Sequence, residues 1–128
     1  MELLTIISLL AVMEFLYFGF RVGGLRAKYG VTAPATTGNE IWERYYRVQC
    51  NTMELLVAFL PCLWAFGYYI GEYWAAAIGS VFLVGRVIYY VTYVKDPATR
   101  SVGAALSLLP CYILASGALI GTVVHYFS

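Results

Sequence analysis

The chain has 128 residues, 62% of them hydrophobic and only 12% charged, with a formal net charge of +1. Soluble domains carry roughly a quarter charged residues, and a chain this short has too little interior to hide so much apolar surface from water. The composition therefore implies an integral membrane protein, and the near-zero net charge excludes a basic field for nucleic acid.

The first apolar run, from Glu2 to Val22, has about the 20 residues that cross a bilayer. It is apolar from Leu3 and lacks a basic leader region or a clear small-residue cleavage site, so it reads as a retained helix. Glu14 is its one mid-span charge. A carboxyl in a membrane span is a functional candidate; the ordinary alternative, preferred here, is a protonated or hydrogen-bonded glutamate packed inside the bundle. Residues 23–39 read as a loop, with Gly23-Gly24, Pro34 and a Thr36-Thr37-Gly38 cluster. Thr37 followed by Glu40 predicts a capping box for the next helix.

The second span, 40–70, is longer than a bilayer needs, so its first turns project into water. Pro61 lies in its apolar part and predicts a kink. Arg47, Asn51 and Glu54 recur at helical spacing and fall within about 60° of arc. An arginine, an amide and a carboxylate on one stripe at a membrane boundary suit a small zwitterion. The ordinary alternative is a solvated first turn with a Glu43–Arg47 ion pair. Gly71-Glu72 makes a turn, where Trp64, Tyr68, Tyr69, Tyr73 and Trp74 form an interfacial aromatic belt.

The third span, 74–95, carries Arg86, Tyr89 and Tyr93 on one face. Asp96-Pro97 reads as an N-cap and a first-turn proline, so Arg100 falls at the start of the fourth span, 97–126. There Gly103, Ala104, Ala105, Gly117 and Gly121 offer small surfaces for close helix packing. His125, the only histidine, lies near the chain end and reads as solvent-facing. Cys50, Cys62 and Cys111 lie in predicted helices with no C-x-x-C pattern, which argues against a disulfide framework. No zinc-finger or P-loop spacing occurs, and no metal site is expected.

The expected architecture is one all-α membrane domain of four spans. The basic residues Arg21, Arg26, Lys28, Arg44, Arg47, Lys95 and Arg100 gather at one end, and the end with Glu2, Glu72 and the C-terminus has none. The positive-inside rule makes the basic end cytoplasmic, so the polar stripes of the second and third spans open on that side.

The run Glu43-Arg44-x-Tyr46-Arg47-x-Gln49-x-Asn51-x-x-Glu54 resembles the second-helix signature of the MAPEG family, the membrane-associated proteins in eicosanoid and glutathione metabolism. Arg86-x-x-Tyr89-x-x-x-Tyr93, followed by Arg100, resembles that family's third helix and the turn after it. The Pro-x-x-Thr-Gly of the first loop and the spacing from Arg26 to Arg47 fit as well. The similarity is greatest to the family's microsomal glutathione transferases and leukotriene-forming conjugases, and it covers nearly the whole chain.

The resemblance implies a homotrimer with glutathione as co-substrate, bound between neighbouring subunits. Asn51 and Glu54 would hold the γ-glutamyl amine. Arg47, with Arg26 and Gln49, would bind carboxylates and backbone; Gln49 points away from the Arg47 stripe, which suits a site shared between subunits. Arg86, Tyr89 and Tyr93 would line the pocket, and Arg100 would stabilise the thiolate. A free thiol has a pKa of about 8.5, and a cation in a partly dry site favours its charged form. The thiolate would attack a lipophilic electrophile arriving through the lipid beside the fourth span, where Tyr112 would line an apolar groove. The active site would face the cytoplasm.

The chain departs from the family at four places: Val57 stands where a proline is frequent, Leu55 where the leukotriene-forming members carry tyrosine, Ala27 where they carry a second arginine, and Pro97 precedes Arg100. These favour a general transferase over leukotriene synthesis and extend the expectation to the reduction of lipid hydroperoxides. Two other classes compete. A non-catalytic, lipid-binding MAPEG-like scaffold leaves Arg100 and the complete Arg47, Asn51, Glu54 set without a task. A small proton-coupled drug antiporter would use Glu14 and leave the arginine stripes unexplained.

Overall fold

The computed structural model describes residues 1–128. It is all-helical: α1 (Glu2–Gly24), a single turn α2 (Arg26–Tyr29), α3 (Glu40–Tyr69), α4 (Glu72–Lys95), a 3-10 turn at Pro97–Thr99, and α5 (Ser101–Phe127). Four of these, α1, α3, α4 and α5, are long and apolar enough to cross a membrane.

The helix boundaries follow from local chemistry. α2 ends at Gly30, whose φ of 70° is the left-handed conformation that glycine adopts without a Cβ clash. The loop then folds back, burying Val31 beside Val22 and Trp42. The Trp42 indole Nε1 donates to the Val22 carbonyl at 2.9 Å, fixing the start of α3 to the end of α1. The N-cap of α3 is Asn39, whose Oδ1 accepts from the Trp42 N–H at 2.9 Å. Glu43 accepts from the Gly38 N–H at 3.1 Å. The expected Thr37–Glu40 box is thus displaced, because Gly38 takes a φ of 133° and the helix starts only after that bend. Glu43 is committed to Gly38, so the Glu43–Arg47 pair does not form; Glu40 pairs with Arg44 instead, at 3.6 Å.

At the same end of the bundle, the Arg44 guanidinium donates to the Val94 and Lys95 carbonyls, at 3.3 and 3.0 Å, and so satisfies the last turn of α4. Asp96 caps as expected, accepting from the Ala98 N–H at 3.1 Å. The turn that follows is 3-10 rather than α, so α5 begins at Ser101 and not at Pro97. The Thr99 hydroxyl, within hydrogen-bond reach of the Asp96 and Thr92 carbonyls, holds that tight turn against α4.

Lipid supplies no hydrophobic force between helices, so close van der Waals contact must do the work. α4 and α5 meet through glycine. A Cβ on Gly103 would lie 2.5 Å from the Tyr89 backbone, and one on Gly85 would lie 2.7 Å from the Leu106 carbonyl carbon. α1 packs along α3 and α4. The main core joins all four spans through Leu4, Ile7, Phe59, Leu63, Phe82 and Leu114, with the Phe59 and Phe82 rings stacked at 3.9 Å. The aromatic belt residues Tyr68, Tyr69, Tyr73 and Trp74 are exposed around the α3–α4 turn.

Candidate functional site

The glycine contact between α4 and α5 brings Arg100 and Ala104 against the face of α4 that carries Arg86, Tyr89 and Tyr93. α3 closes the third side with Arg47, Asn51 and Leu55. Between the three helices lies a cavity of about 440 Å³, lined by these residues and Leu108. Arg47, Asn51 and Arg100 supply polar lining, and Leu55, Ala104 and Leu108 apolar lining; Arg86 lies deeper, at the level of Ala104 and Leu108, because the Gly103–Tyr89 and Gly85–Leu106 contacts set that register.

Each side chain is held in place. Glu54 stands at the rim, with its Oε1 3.7 Å from Arg47 Nη1. The Tyr89 and Tyr93 rings stack at 5.2 Å and form one wall. Arg86 is wholly buried. Its Nη2 donates to the Thr52 hydroxyl at 2.9 Å, and Thr52 in turn donates to the Val48 carbonyl at 2.7 Å. The Arg86 guanidinium also lies 4.5 Å from the centre of the Tyr89 ring, within cation–π range. Arg100 is exposed at the mouth, and its Nη1 donates to the Pro97 carbonyl at 3.2 Å. Arg100 lines the cavity with that contact to Pro97 in place. Three cations against one rim carboxylate make an anion-attracting site with one acceptor for an ammonium group. No cluster of three or more His, Cys, Asp and Glu side chains gathers as a metal site.

The MAPEG family model matches residues 4–120. The chain belongs to the MAPEG family. It is 49% identical over 116 residues to an uncharacterised protein of Synechocystis sp., covering 91% of this chain and 85% of that one. It is 38% identical over 106 residues to microsomal glutathione S-transferase 2 of Homo sapiens, covering 83% and 72%. It is 33% identical over 124 residues to leukotriene C4 synthase of Bos taurus, covering 97% and 83%.

In this MAPEG chain the structure gathers most, but not all, of the residues singled out in the sequence. Arg47, Asn51, Arg86, Tyr89, Tyr93 and Arg100 line one cavity, and Glu54 joins them through Arg47. Arg26 and Gln49 lie elsewhere. The Arg26 guanidinium sits over the Trp42 ring at 4.6 Å and donates to the Ala35 carbonyl at 2.8 Å. Gln49 faces α1, where a Cβ at Gly19 would lie 2.7 Å from its Nε2. It lines a separate cleft of about 200 Å³ with Phe15, Tyr46, Cys50 and Met53. Tyr112 is exposed on α5, one turn beyond Leu108 and outside the cavity.

Thr52, which holds Arg86, went unrecognised in the sequence. Its signal was faint: a small hydroxyl residue beside Asn51, in a polar stretch where the charged and amide side chains draw the eye. Ala104 and Leu108 were also unmarked as lining residues, although both follow Arg100 at four-residue spacing on α5.

Proposed function

We propose that this protein is a glutathione transferase of the membrane, conjugating the glutathione thiolate to lipophilic electrophiles. The observation that carries this reading is the convergence of Arg47, Asn51, Arg86, Tyr89, Tyr93 and Arg100, from three helices, on one cavity that Leu55, Ala104 and Leu108 also line. Its relatives named for glutathione transfer and leukotriene synthesis support it.

Glutathione has two carboxylates, one ammonium group and one thiol. Arg47 pairs with a carboxylate, and Glu54 with Asn51 takes the γ-glutamyl ammonium group. Tyr89 and Tyr93 flank the peptide, and Arg100 at the mouth faces the thiol. Charge-assisted contacts of this kind are roughly twice as strong as neutral hydrogen bonds. The electrophile enters from the lipid, past Tyr112 and toward Leu108. Arg26 and Gln49 cannot serve the same cavity from the same chain, so a neighbouring subunit of a homotrimer supplies them. The basic end of the bundle faces the cytoplasm, by the positive-inside rule. Reduction of lipid hydroperoxides uses the same thiolate and is a second activity of the site.

The decisive test is ultraviolet difference absorption of the detergent-purified protein titrated with glutathione at neutral pH. A saturable thiolate band is the expected result. Equilibrium dialysis showing no glutathione binding would end this reading. Glu54→Ala, measured by the same dialysis, should weaken binding by about tenfold or more. It removes the partner of a charged group, a loss of about 1.5–3 kcal/mol. An unchanged dissociation constant would remove Glu54 from the site.

A further inference from the structure

Arg86 is the one charged residue of the chain that is fully buried, and its environment leaves a question that the cavity alone does not answer. Thr52 satisfies Nη2. Nε and Nη1 are buried and have no hydrogen-bond partner within the protein. An uncompensated guanidinium inside a membrane bundle is expensive, and such groups ordinarily pair with an acid.

The acid stands on α1. α1 and α4 run side by side in a fixed register. A Cβ at Gly79 would meet Ile7 at 2.8 Å, and Phe18 stacks on Tyr90 with ring centres 4.9 Å apart. The same step in sequence that joins Ile7 to Gly79 and Phe18 to Tyr90 joins Glu14 to Arg86. Glu14 also has a buried oxygen, Oε1, with no partner. Two orphaned donors on Arg86 thus stand at the same level of the bundle as an orphaned acceptor on Glu14. No direct ion pair joins them. Glu14 is the only carboxyl group of α1 beyond Glu2, and α5 carries none.

Glu14 lies on the far side of Arg86 from the cavity. It lines a separate apolar groove between α1 and α4, with Leu10, Met13, Tyr17, Val87 and Tyr90. Arg86 lines the cavity itself. The guanidinium therefore sits between a ligand site on one side and an acid on the other.

We infer that Glu14 is the counter-charge of Arg86, set behind the ligand cavity, and that it moderates the cavity's pull on anions. The inference rests on the glutathione reading for its ligand, but not for the pairing itself. Glu14 touches no ligand; it is a positioning residue acting through Arg86. A negative charge behind the guanidinium offsets part of the field that the guanidinium projects forward. Neutralising that charge should strengthen anion binding and deepen thiol ionisation, which is the opposite of what a damaged scaffold would do.

Two measurements test it. The first is infrared difference spectroscopy of the unliganded protein, wild type against Glu14→Gln. An ionised carboxylate stretch that disappears in the variant is expected, and a protonated carboxyl stretch that disappears instead overturns the pairing. The second is glutathione titration followed by the thiolate band. Glu14→Gln should bind glutathione about fivefold more tightly and hold a larger thiolate fraction, as expected when one opposing charge is removed at intermediate dielectric. Glu14→Asp, which keeps the charge, should stay near wild type. Weaker or unchanged binding in well-folded Glu14→Gln overturns the inference. If the wild type binds no glutathione, the functional reading fails while the infrared result still decides whether Glu14 and Arg86 form a pair.

Discussion

Arg100→Ala should lower turnover by about 100-fold while leaving glutathione affinity within a few-fold of wild type. In the proposed reaction Arg100 would face the thiol from the cavity mouth, and its contribution would grow as negative charge develops on sulfur. Removing one preorganised group that stabilises developing charge costs about 100- to 1,000-fold in kcat. The anchoring contacts from Arg47, Asn51 and Glu54 are untouched, so binding persists. The check is a pair of measurements on one sample: steady-state conjugation of a lipophilic electrophile, and the thiolate band under saturating glutathione. Turnover and the band should fall together. If affinity collapses as well, Arg100 is an anchor; if neither changes, the thiolate is stabilised elsewhere and Arg86 becomes the next candidate.

Gly103→Leu should abolish glutathione binding outright. Gly103 lies flat against Tyr89, and the nearest atoms to an added Cβ are main chain, which no rotamer change can move. α5 would have to retreat from α4, carrying Arg100, Ala104 and Leu108 away from Arg86, Tyr89 and Tyr93. Overpacking of this kind costs about 1–3 kcal/mol in accommodating cores, and more where backbone meets backbone. The control is Gly23→Ala, at a position where an added Cβ meets nothing within 4 Å; it should bind like wild type. Dialysis of both variants, with thermal unfolding in detergent alongside, separates loss of the site from loss of the protein. Retained affinity in Gly103→Leu would mean that the α4–α5 contact does not build the cavity.

Much of this was legible in the chain because helical periodicity is a strong signal. Arg47, Asn51 and Glu54 recur on one stripe, and so do Arg86 and Tyr89 with Tyr93; any regular helix keeps each set together. The meeting of the two stripes was not legible from periodicity, since it depends on how α3 packs against α4. The family resemblance supplied that expectation. The cap of α3 was misjudged because Thr37 and Asn39 are both good N-cap residues, and only the positive φ at Gly38 decides between them. The role of Thr52 was hidden for a similar reason. A hydroxyl beside Asn51 reads as a helix residue until Arg86 arrives from another span. Arg26 and Gln49 were picked out by the family resemblance, and in this single chain they lie outside the cavity.

The proposed reaction draws a water-soluble ligand and a lipid-soluble one into a single cavity, and their solubilities separate their supply routes. Glutathione would arrive through a volume, whereas a lipophilic partner would arrive across an area. Its effective concentration would be set by how many molecules share the surrounding lipid, not by how many share the tube. Adding empty vesicles or excess detergent would slow the reaction by dilution within the membrane phase, with the amounts of protein and electrophile unchanged. The apparent affinity for the electrophile would then be a property of the bilayer as much as of the protein.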